Sequence, residues 1–334
     1  MKEVNYKETK NMSVFDLSNE VGTVLQDPDS QFIGLTVAED IAFKLENDCV
    51  LLDDMKKRVE KVSKIVDIEK RLESSPHNLS GGQKQRVTLG GVMISDNNIL
   101  LFDEPLASLD PASGKSAIEL IDDIQKKSNK TIIIIEHRLE DVLHCNVDRI
   151  IVVNDGQIAA DLTTQELLSS DILVDTGIRE PLYITALKYA GIKVDKDISP
   201  ESIDSLKVDS IKDKLNNWYD KAEVKSKDEA KETILELDKI KFGYEDKKEI
   251  LKGVSFKINR GEMVSMVGRN GAGKSTIAKL ICGFYKPSSG DILLNGKSIA
   301  DHSIKERSEK IGFVMQNPNS MISKNMIFDE VALG

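Results

Sequence analysis

The feature that most constrains the fold is the stretch GRNGAGKST (268–276), which fits the pattern G-x-x-x-x-G-K-[ST]. The apolar run EMVSMV (262–267) precedes it, and the helical pattern STIAKLICGF (275–284) overlaps its end. Glycines allow the backbone to wrap closely enough for several N–H groups to face a triphosphate, and the helix adds its positive end. We therefore predict a strand, a phosphate-binding loop and a helix, in that order.

Two side chains of this loop have chemistry suited to a nucleoside triphosphate. Lys274 can reach the β and γ oxygens, and the Ser275 hydroxyl is placed to ligate Mg²⁺. A glycine-rich turn with a purely structural role would not need the strand, the Lys-Ser pair and the helix together. The predicted nucleotide-binding residues of the loop are Gly268, Arg269, Asn270, Gly271, Ala272, Gly273, Lys274, Ser275 and Thr276.

The chain also contains a repeat. VGTVLQDPDSQ (21–31) returns as IGFVMQNPNSM (311–321), with Gln26 and Gln316 separated by 316 − 26 = 290 positions. Carried upstream, the same offset aligns residues 7–20 with 297–310 without a gap, although the similarity there is faint. Because a fixed offset is the sequence signature of a duplicated unit, we expect two copies of one unit, each incomplete.

Between the copies, strand-like and helical patterns alternate. NILLFDE (98–104), TIIIIEH (131–137) and DRIIVVN (148–154) are short, unbroken apolar runs, as buried parallel strands tend to be. SGKSAIELIDDIQKKS (113–128) has a helical pattern between the first two. This alternation predicts an α/β fold.

A change of composition divides the chain. From about 193 to 231 it is rich in Lys, Asp and Ser, which favours a charged linker with some helix, held by Trp218. Strand character returns in TILELDKIKFGY (233–244) and GVSFKI (253–258). The expected regions are 1–192, the linker 193–232, and 233–334.

Composition excludes several classes of protein. With 46 basic and 56 acidic residues, the net charge of −10 gives no field that would gather nucleic acid or acidic lipid. Cys49, Cys145 and Cys282 are far apart and in no paired spacing, so we expect packed thiols rather than a disulfide or zinc framework. No apolar run reaches the roughly 18 residues that span a bilayer. Any work at a membrane would therefore require docking on other subunits.

Polar groups follow the apolar runs at positions where a ligand could meet them. LSGGQKQR (79–86) precedes a helical stretch, Asp103 and Glu104 end one strand, and His137 ends the next. Alone, Ser-Gly-Gly is a good helix cap and a single histidine is usually structural. Since the carboxyl ends of parallel strands share one edge of a sheet, where ligands bind, a common site is the alternative.

In this order, LSGGQ, LLFDEP, ASLD and EH resemble the second half of an ATP-binding-cassette (ABC) ATPase, whereas FGY, GRNGAGKST and VMQNP resemble the first half of another. VLQDPDSQ, EHRLEDV and GIREPLYITALKYAG more particularly resemble the double-cassette subunit of energy-coupling-factor importers, of the cobalt or thiamine-precursor type. The resemblance covers nearly the whole chain apart from the linker. It implies an α/β fold of the P-loop NTPase type, built from the back half of one cassette and the front half of the next.

The resemblance also implies a function. Such a subunit binds ATP and Mg²⁺ and hydrolyses ATP to energise import of a vitamin or metal, at the cytoplasmic face of the cell membrane. Its implied partners are a transmembrane coupling subunit and a second cassette, paired head to tail, with no nucleic acid. The transported substrate is chosen by a separate membrane subunit and is not readable from this chain.

Residue roles carry over by position in the motifs. Glu104 matches the general base that positions water, and His137 matches the switch histidine that contacts the γ-phosphate. Gln26 and Gln316 match the glutamine that reaches Mg²⁺ and the attacking water, on a loop that senses the membrane partner. The implied metal ligands are Ser275, Asp103 and Gln316.

Other motifs match nucleotide contacts. Tyr244 matches the aromatic residue that stacks on adenine, although a strand residue packed in the core is the alternative. The segment 107–110, ASLD, matches the loop that crosses to the other cassette. The signature loop, which closes on the γ-phosphate of a nucleotide held by the opposing cassette, is matched by Ser80, Gly81, Gly82 and Gln83.

The order of the motifs departs from the family, in which one cassette runs from aromatic loop to histidine. Here the signature, carboxylates and histidine come first and the phosphate-binding loop comes last. The resemblance therefore implies a chain truncated at both ends. In the intact parent, Lys274 would face Ser80 across a site whose glutamate and histidine lie outside this sequence, and neither site would be complete.

Three alternatives stay open. The two halves could dock as a circularly permuted cassette, in which Asp103 and Ser275 would share a Mg²⁺ and two chains would pair. A soluble ABC ATPase of DNA repair or translation is a second alternative, disfavoured by the acidic balance and the importer-like QDPDSQ and GIREPLY. The third is a nucleotide-binding fragment without catalysis.

Overall fold

The structure, a computed structural model, consists of two compact units, Met1–Lys225 and Ser226–Gly334. It describes residues 3–4, 7–95, 97–107, 109–128, 130–221, 232–244, 249–316, 319 and 321–332, with side chains from residue 9 onward. Each unit has its own hydrophobic core and is considered separately.

The first unit mixes strands and helices. Its strands are β1 (Glu3–Val4), β2 (Lys7–Glu8), β3 (Val21–Val24), β4 (Ile99–Asp103), β5 (Thr131–Ile135), β6 (Ile150–Asn154) and β7 (Gln157–Leu162). Its helices are α1 (Val14–Glu20), α2 (Val37–Asn47), α3 (Leu52–Ile65), α4 (Gly81–Met93), α5 (Pro111–Ser128), α6 (Leu139–Val142), α7 (Thr164–Leu168), α8 (Ile172–Asp175), α9 (Leu182–Tyr189) and α10 (Lys212–Asp220).

The first unit contains a three-stranded parallel sheet in the order β3-β4-β5. Val24 pairs in register with Phe102, and Phe102 pairs with Ile134. Leu100 and Phe102 of β4 are buried in one core with Ile41 of α2. The parallel strands predicted at 98–104 and 131–137 and the helix at 113–128 are therefore confirmed, but the expected burial is not complete, because Ile133 and Ile135 of β5 are exposed.

The third predicted parallel strand, 148–154, is wrong in its pairing. β6 forms an antiparallel hairpin with β7, and Ile151 and Val153 are exposed. Asn154 pairs with Gln157, so the turn consists of two residues, Asp155 and Gly156, with φ of 47° and 73°. Two positive φ angles define the type I′ turn that suits the twist of a hairpin, and Asp-Gly is a typical sequence for it.

The expected linker, 193–232, differs from the structure over residues 193–221. Val194, Ile198 and Ile211 are buried in a second core of the first unit, together with Leu187. Helix is present as expected, since α10 carries Trp218. A few apolar residues among many charges are enough to pack this stretch, because the charged side chains can stay in water. Residues 222–231 of the expected linker lie outside the described residues.

The second unit contains an antiparallel sheet in the order β11-β10-β8-β9. Its elements are β8 (Thr233–Phe242), β9 (Leu251–Asn259), α11 (Lys274–Ile281), β10 (Ser289–Leu294), β11 (Lys297–Ser298), α12 (Ile304–Ser308) and α13 (Ile327–Val331). The predicted strands at 233–244 and 253–258 are confirmed. Within the described part of the chain, no helix combines the length and apolarity needed to cross a membrane.

The predicted strand at 262–267 is not formed. These residues have no strand assignment, and the side chain of Met263 is 98% exposed. A parallel strand is held by hydrogen bonds to its neighbours and by burial of both faces. No described strand of the second unit pairs with this segment. Its apolar residues therefore gain neither the hydrogen bonds of a parallel sheet nor burial of both faces.

Candidate nucleotide-binding sites

The phosphate-binding loop leads directly into α11, as the sequence predicts. Gly273 immediately precedes Lys274, the first residue of the helix, and has a φ of 95°. A Cβ atom on Gly273 would lie 2.7 Å from Cδ2 of Leu251 in β9. Only glycine therefore fits both this backbone conformation and this close approach to the sheet. The other loop residues, 268–272, stand before it, and Ser275 and Thr276 lie in the first turn of α11.

Lys274 lies across the loop that precedes it. Its Nζ donates hydrogen bonds to the carbonyl oxygens of Gly268 (2.6 Å) and Arg269 (2.9 Å), and the neighbouring Ser275 is exposed. The loop thus offers an ammonium group, a hydroxyl and the N–H groups that begin an α-helix. These donors are complementary to a phosphate, and a hydroxyl is an oxygen ligand suited to Mg²⁺.

The far end of α11 is fixed by a residue with no role predicted from the sequence. Arg307 is buried and donates from Nη1 to the carbonyl oxygens of Leu280 (2.9 Å) and Ile281 (3.1 Å), and from Nη2 to that of Ile299 (2.6 Å). Burial lowers the pKa of this guanidinium. A cation at a helix C-terminus is stabilising, so Arg307 holds in place the helix that begins at the phosphate-binding loop.

Tyr244 lies beside the same helix. Its hydroxyl is 3.3 Å from Oγ1 of Thr276, and its ring meets Phe242 and Tyr285 edge-on at centroid distances of 5.0 and 5.2 Å. The residue remains 38% exposed, so it is partly packed and partly open to solvent. Stacking of adenine on Tyr244 stays a prediction.

In the first unit, three predicted catalytic residues meet at the carboxyl ends of the parallel strands. Nε2 of Gln26 donates to Oε2 of Glu104 (2.7 Å), and Oε1 of Glu104 lies 3.7 Å from Nδ1 of His137. Glu104 has a φ of 46°, and its N–H donates to the carbonyl of Ile135 (2.9 Å), which ties the ends of β4 and β5 together. Left-handed backbone at a residue other than glycine is concentrated at functional sites.

The predicted metal ligands are distributed over both units. Asp103 is the last residue of β4, whereas Ser275 and Gln316 belong to the second unit. Gln316 is exposed, and its neighbours Asn317 and Pro318 lie outside the described residues. Among the residues that the structure describes, no group of three or more His, Cys, Asp or Glu side chains is arranged to hold a metal ion.

The signature segment forms the start of α4. Ser80 is the N-cap, its N–H donates to Oε1 of Gln83 (3.1 Å), and Gly81 and Gly82 form the first turn. Gln85 is buried and donates to the carbonyl of Pro105. The signature helix is therefore attached to the loop that follows Glu104.

An ion pair attaches the same helix to the first glutamine loop. Nζ of Lys84 lies 2.6 and 2.8 Å from the two carboxylate oxygens of Asp29, and Nδ1 of His77 is 3.8 Å from Oδ1 of Asp29. Sequence reasoning missed this contact, because 55 positions separate the two partners and no spacing rule connects them.

The predicted crossing loop, 107–110, joins Glu104 to α5. The N–H of Ala107 donates to the carbonyl of Glu104 (3.1 Å), and Asp110 accepts hydrogen bonds from the N–H and hydroxyl of Ser113 at the start of α5. Ser108 lies outside the described residues. Asp110 is thus a helix cap, and its crossing role stays a prediction.

Glu136, just before the predicted switch histidine, was also missed. Its side chain is 2% exposed, and its Oε1 lies 3.2 Å from Nδ1 of His137. The same oxygen accepts hydrogen bonds from the N–H groups of His137 (3.0 Å) and Arg138 (3.2 Å). The available signal was an acidic residue directly after the apolar run of β5.

Two family models match the chain. The model described as "ABC transporter" matches residues 3–107 and 251–330, together more than half of the chain. A second, described as "ATP-binding cassette cobalt transporter", matches residues 170–242. These matches confirm the family and the fold class predicted from the sequence.

Known relatives agree with the family models. An ABC transporter ATP-binding protein of Clostridium perfringens is 63% identical over 98% of this chain and 58% of its own length, and one of Photobacterium profundum is 52% identical over 99% and 59%. The solved structure of cbiO1 from Clostridium perfringens, described as part of the ABC transporter complex cbiONQ, is 29% identical, covers 55% of this chain and 72% of that chain, and has a TM-score of 0.46. The chain thus spans less than two thirds of the length of the two ATP-binding proteins of Clostridium perfringens and Photobacterium profundum. It belongs to the ABC transporter family of ATP-binding proteins.

Proposed function

We propose that the chain is part of an ATP-binding and ATP-hydrolysing subunit that energises an importer of the energy-coupling-factor type. The observation that carries the proposal is the phosphate-binding loop, where Lys274 spans the carbonyls of Gly268 and Arg269 at the start of α11. An ammonium group held in this way can exchange backbone carbonyls for phosphate oxygens without moving the helix. In this proposal ATP is the substrate, and Lys274 neutralises charge on its β and γ phosphates.

The contacts in the first unit suggest how its residues would act on the attacking water. Gln26 occupies one carboxylate oxygen of Glu104, so the other oxygen is available to accept a proton or orient water. His137 lies on the side of this second oxygen. We assign Glu104 as the base, Gln26 as the group that orients it, and His137 as the contact for the γ-phosphate. Asp103 would hold Mg²⁺ at a nucleotide site that includes the first unit, and Ser275 and Gln316 would hold it at a site that includes the second. Mg²⁺ supplies charge neutralisation when bound.

The nucleotide is expected to require two cassettes. In this proposal the signature residues Ser80, Gly81, Gly82 and Gln83 face a phosphate-binding loop of another cassette, and the start of α4 directs N–H groups at its γ-phosphate. A second cassette is therefore a proposed partner. Removal of any one of these groups should slow hydrolysis strongly, because catalysis here depends on positioning and charge neutralisation.

Exposed apolar residues beside the glutamine loops support a membrane partner. In the sequence, Leu25, Ile33 and Leu35 flank Gln26, and Ile322 and Phe328 follow Gln316; all five are exposed. Exposed apolar side chains on a loop can be buried when a partner binds. We propose that a transmembrane coupling subunit covers these residues, which would place the protein peripherally at the cytoplasmic face of the membrane.

The importer subtype rests on the middle of the chain. Residues 170–242 match the cobalt-transporter family model, and they contain GIREPLY, the sequence that most resembles importers of this kind. Metal or vitamin import is therefore the proposed process. Copurification of the longer relative with a polytopic membrane protein tests this step, and its recovery with DNA-repair or ribosomal proteins instead would favour a soluble ABC ATPase.

Nucleotide binding is tested on this chain with the pair Lys274→Ala and Lys279→Ala. Both substitutions remove a lysine from α11, but only Lys274 bonds to the phosphate-binding loop. Calorimetric titration with ATP and Mg²⁺ should show at least a tenfold weaker affinity for Lys274→Ala and less than a twofold change for Lys279→Ala. Equal affinities of the wild type and Lys274→Ala would contradict the assignment of this loop.

Hydrolysis is tested separately with Glu104→Gln, which keeps the shape of the side chain. If the protein turns over ATP, this variant should reduce phosphate release by about a hundredfold or more. Binding that depends on Lys274, with no turnover and no effect of Glu104→Gln, would instead favour a nucleotide-binding fragment without catalysis.

A further inference from the structure

Glu136 is a buried acidic residue at the end of β5, and none of the roles above uses it. Its Oε1 accepts two backbone N–H groups, whereas Oε2 is buried and has no hydrogen-bond partner among the described residues. Burial of a carboxylate with an unpaired oxygen is unfavourable, and such a group in a folded protein requires an explanation. A neutral residue would fill the same space without this cost.

The charged groups around Glu136 identify what its carboxylate faces. On its own loop, Nδ1 of His137 is 3.2 Å from Oε1 and Nε of Arg138 is 3.8 Å from it. Arg138 is also engaged elsewhere, because it pairs with Asp141 at 3.3 Å and donates to the carbonyl of Leu106. From the neighbouring strand, Glu104 approaches the same Nδ1 at 3.7 Å. The ring nitrogen Nδ1 of His137 therefore faces two carboxylates.

The chemistry of these groups determines which ring nitrogen carries the proton. An ionised carboxylate has only acceptor sites, so a neutral imidazole facing it is favoured in the form that has its proton on Nδ1. We propose that Glu136 is a positioning residue that keeps the proton of His137 on Nδ1 and fixes the orientation of the ring. Nε2 is then the nitrogen left to meet a ligand.

The contacts form a continuous chain across three strands. Gln26 after β3 donates to Glu104 after β4, Glu104 approaches His137 after β5, and Glu136 contacts the same ring nitrogen of His137. Glu136 thus acts through His137 and need not touch a nucleotide. The effect of Glu136 on ATP hydrolysis rests on the proposed function. The position of the proton on His137 rests on the geometry alone.

A purely structural role is the competing explanation, because Oε1 of Glu136 also caps the turn before α6. Two variants separate these roles. In Glu136→Gln, the amide oxygen can take the place of Oε1, accept both backbone N–H groups and still accept a hydrogen bond from Nδ1–H. Glu136→Leu has a side chain of similar size with no acceptor, so the preference for a proton on Nδ1 should be lost if Glu136 causes it. Glu119→Gln on the exposed surface of α5 is the matched control.

The test is nuclear magnetic resonance of the imidazole nitrogens in the full chain at about pH 8, above the ordinary histidine pKa of about 6.5. His137→Asn assigns the signal among the four histidines. We expect the Nδ1–H form in the wild type, in Glu119→Gln and in Glu136→Gln, and a change of at least half of the population to the Nε2–H form in Glu136→Leu. A wild-type ring protonated on Nε2 would overturn the proposal, even if the variant fails to fold. An unchanged form in a folded Glu136→Leu variant would also overturn it.

A second measurement separates this inference from the proposed function. If the chain hydrolyses ATP, Glu136→Leu should lower turnover at least tenfold, whereas Glu136→Gln and Glu119→Gln should not. If the proton lies on Nδ1 but the wild type shows no turnover, the inference about His137 is supported and the proposal of ATP hydrolysis by this chain is contradicted. Unchanged turnover in a folded Glu136→Leu variant of an active protein would contradict the positioning role in catalysis.

Discussion

The two copies of the repeat share a sequence pattern but differ in structure. Val24 in the first copy lies in β3 and is 1% exposed, whereas Val314, at the equivalent position 290 residues later, has no strand assignment and is 82% exposed. Val24 is paired with Phe102 of β4. No described strand of the second unit pairs with residues 311–314. The same residues therefore form a strand only where a parallel neighbour is available.

Short-range structure, in contrast, is reproduced in both copies. Ser13 and Asp16 form a capping box at the start of α1, and Ser303 and Glu306, each 290 positions later, form one at the start of α12. The sequences around them are only faintly similar. A capping box needs two side chains within one turn of helix, so it forms wherever those two residues are present.

A second local contact shows the same behaviour. Oδ1 of Asp40 accepts the N–H groups of Ile33 (2.9 Å) and Gly34 (3.1 Å). At the offset of 290, Oε2 of Glu330 accepts the N–H groups of residues 323 and 324 at 2.8 and 2.7 Å. The loop after each glutamine is thus closed by an acidic residue on the following helix. Contacts within about ten residues are specified by the copy itself, and only the strand depends on distant sequence.

Hydrogen exchange should show the largest difference between the copies. Exchange of the amides in β3 requires opening of the parallel sheet, whereas the amides of residues 311–314 are not held in a described strand. We expect peptides covering 21–24 to exchange at least about a thousandfold more slowly than peptides covering 311–314, as measured by mass spectrometry. Similar exchange rates would mean that the second copy finds a strand partner in solution.

Truncation of the equivalent valines should give the next largest difference. Val24→Ala removes buried methyl groups from the first core and should lower the free energy of unfolding by about 2 kcal/mol. Val314→Ala changes an exposed side chain and should stay within about 0.5 kcal/mol of the wild type. Urea unfolding followed by segment-resolved hydrogen exchange measures both. Equal losses in the two variants would show that Val314 is buried in solution.

This contrast also explains how far the sequence could predict the molecule. The phosphate-binding loop was predictable from a local pattern. The strands at 98–104 and 131–137 were also predictable, because their apolar patterns occur together with the parallel neighbours that they need. The strand at 262–267 failed because its formation depends on a neighbour that a local pattern does not contain. The hairpin at 150–162 was missed although Asp155 and Gly156 carried a turn signal. Glu136 and the Lys84–Asp29 pair could not be predicted, since burial and contact across distant positions decide them.

The capping boxes should give equal, smaller effects in the two copies. Ser13→Ala and Ser303→Ala each remove the hydroxyl that accepts a backbone N–H at the start of a helix. Each should destabilise its helix by about 1 kcal/mol, and Ser→Thr at the same position should restore most of the loss. Hydrogen exchange of α1 and α12 provides the measurement. A loss of helix stability in only one of the two variants would show that the local contacts of the two copies are not equivalent.

The smallest effect is a dependence on pH in the second copy. Hydrogen bonds from Ser303 lower the pKa of Glu306, and the N–H groups of Ser323 and Lys324 lower that of Glu330. A carboxyl group whose pKa is lower in the folded state stabilises that state above its unfolded pKa of about 4.3, and this stabilisation is lost as the pH falls through the folded value. Wild type should therefore be slightly more stable than Glu306→Gln and Glu330→Gln at neutral pH, and the difference should vanish in acid. Glu309→Gln, at an exposed neighbouring position, is the control. If the two variants differ from wild type equally at neutral and acid pH, these carboxylates stabilise their loops by shape rather than by charge.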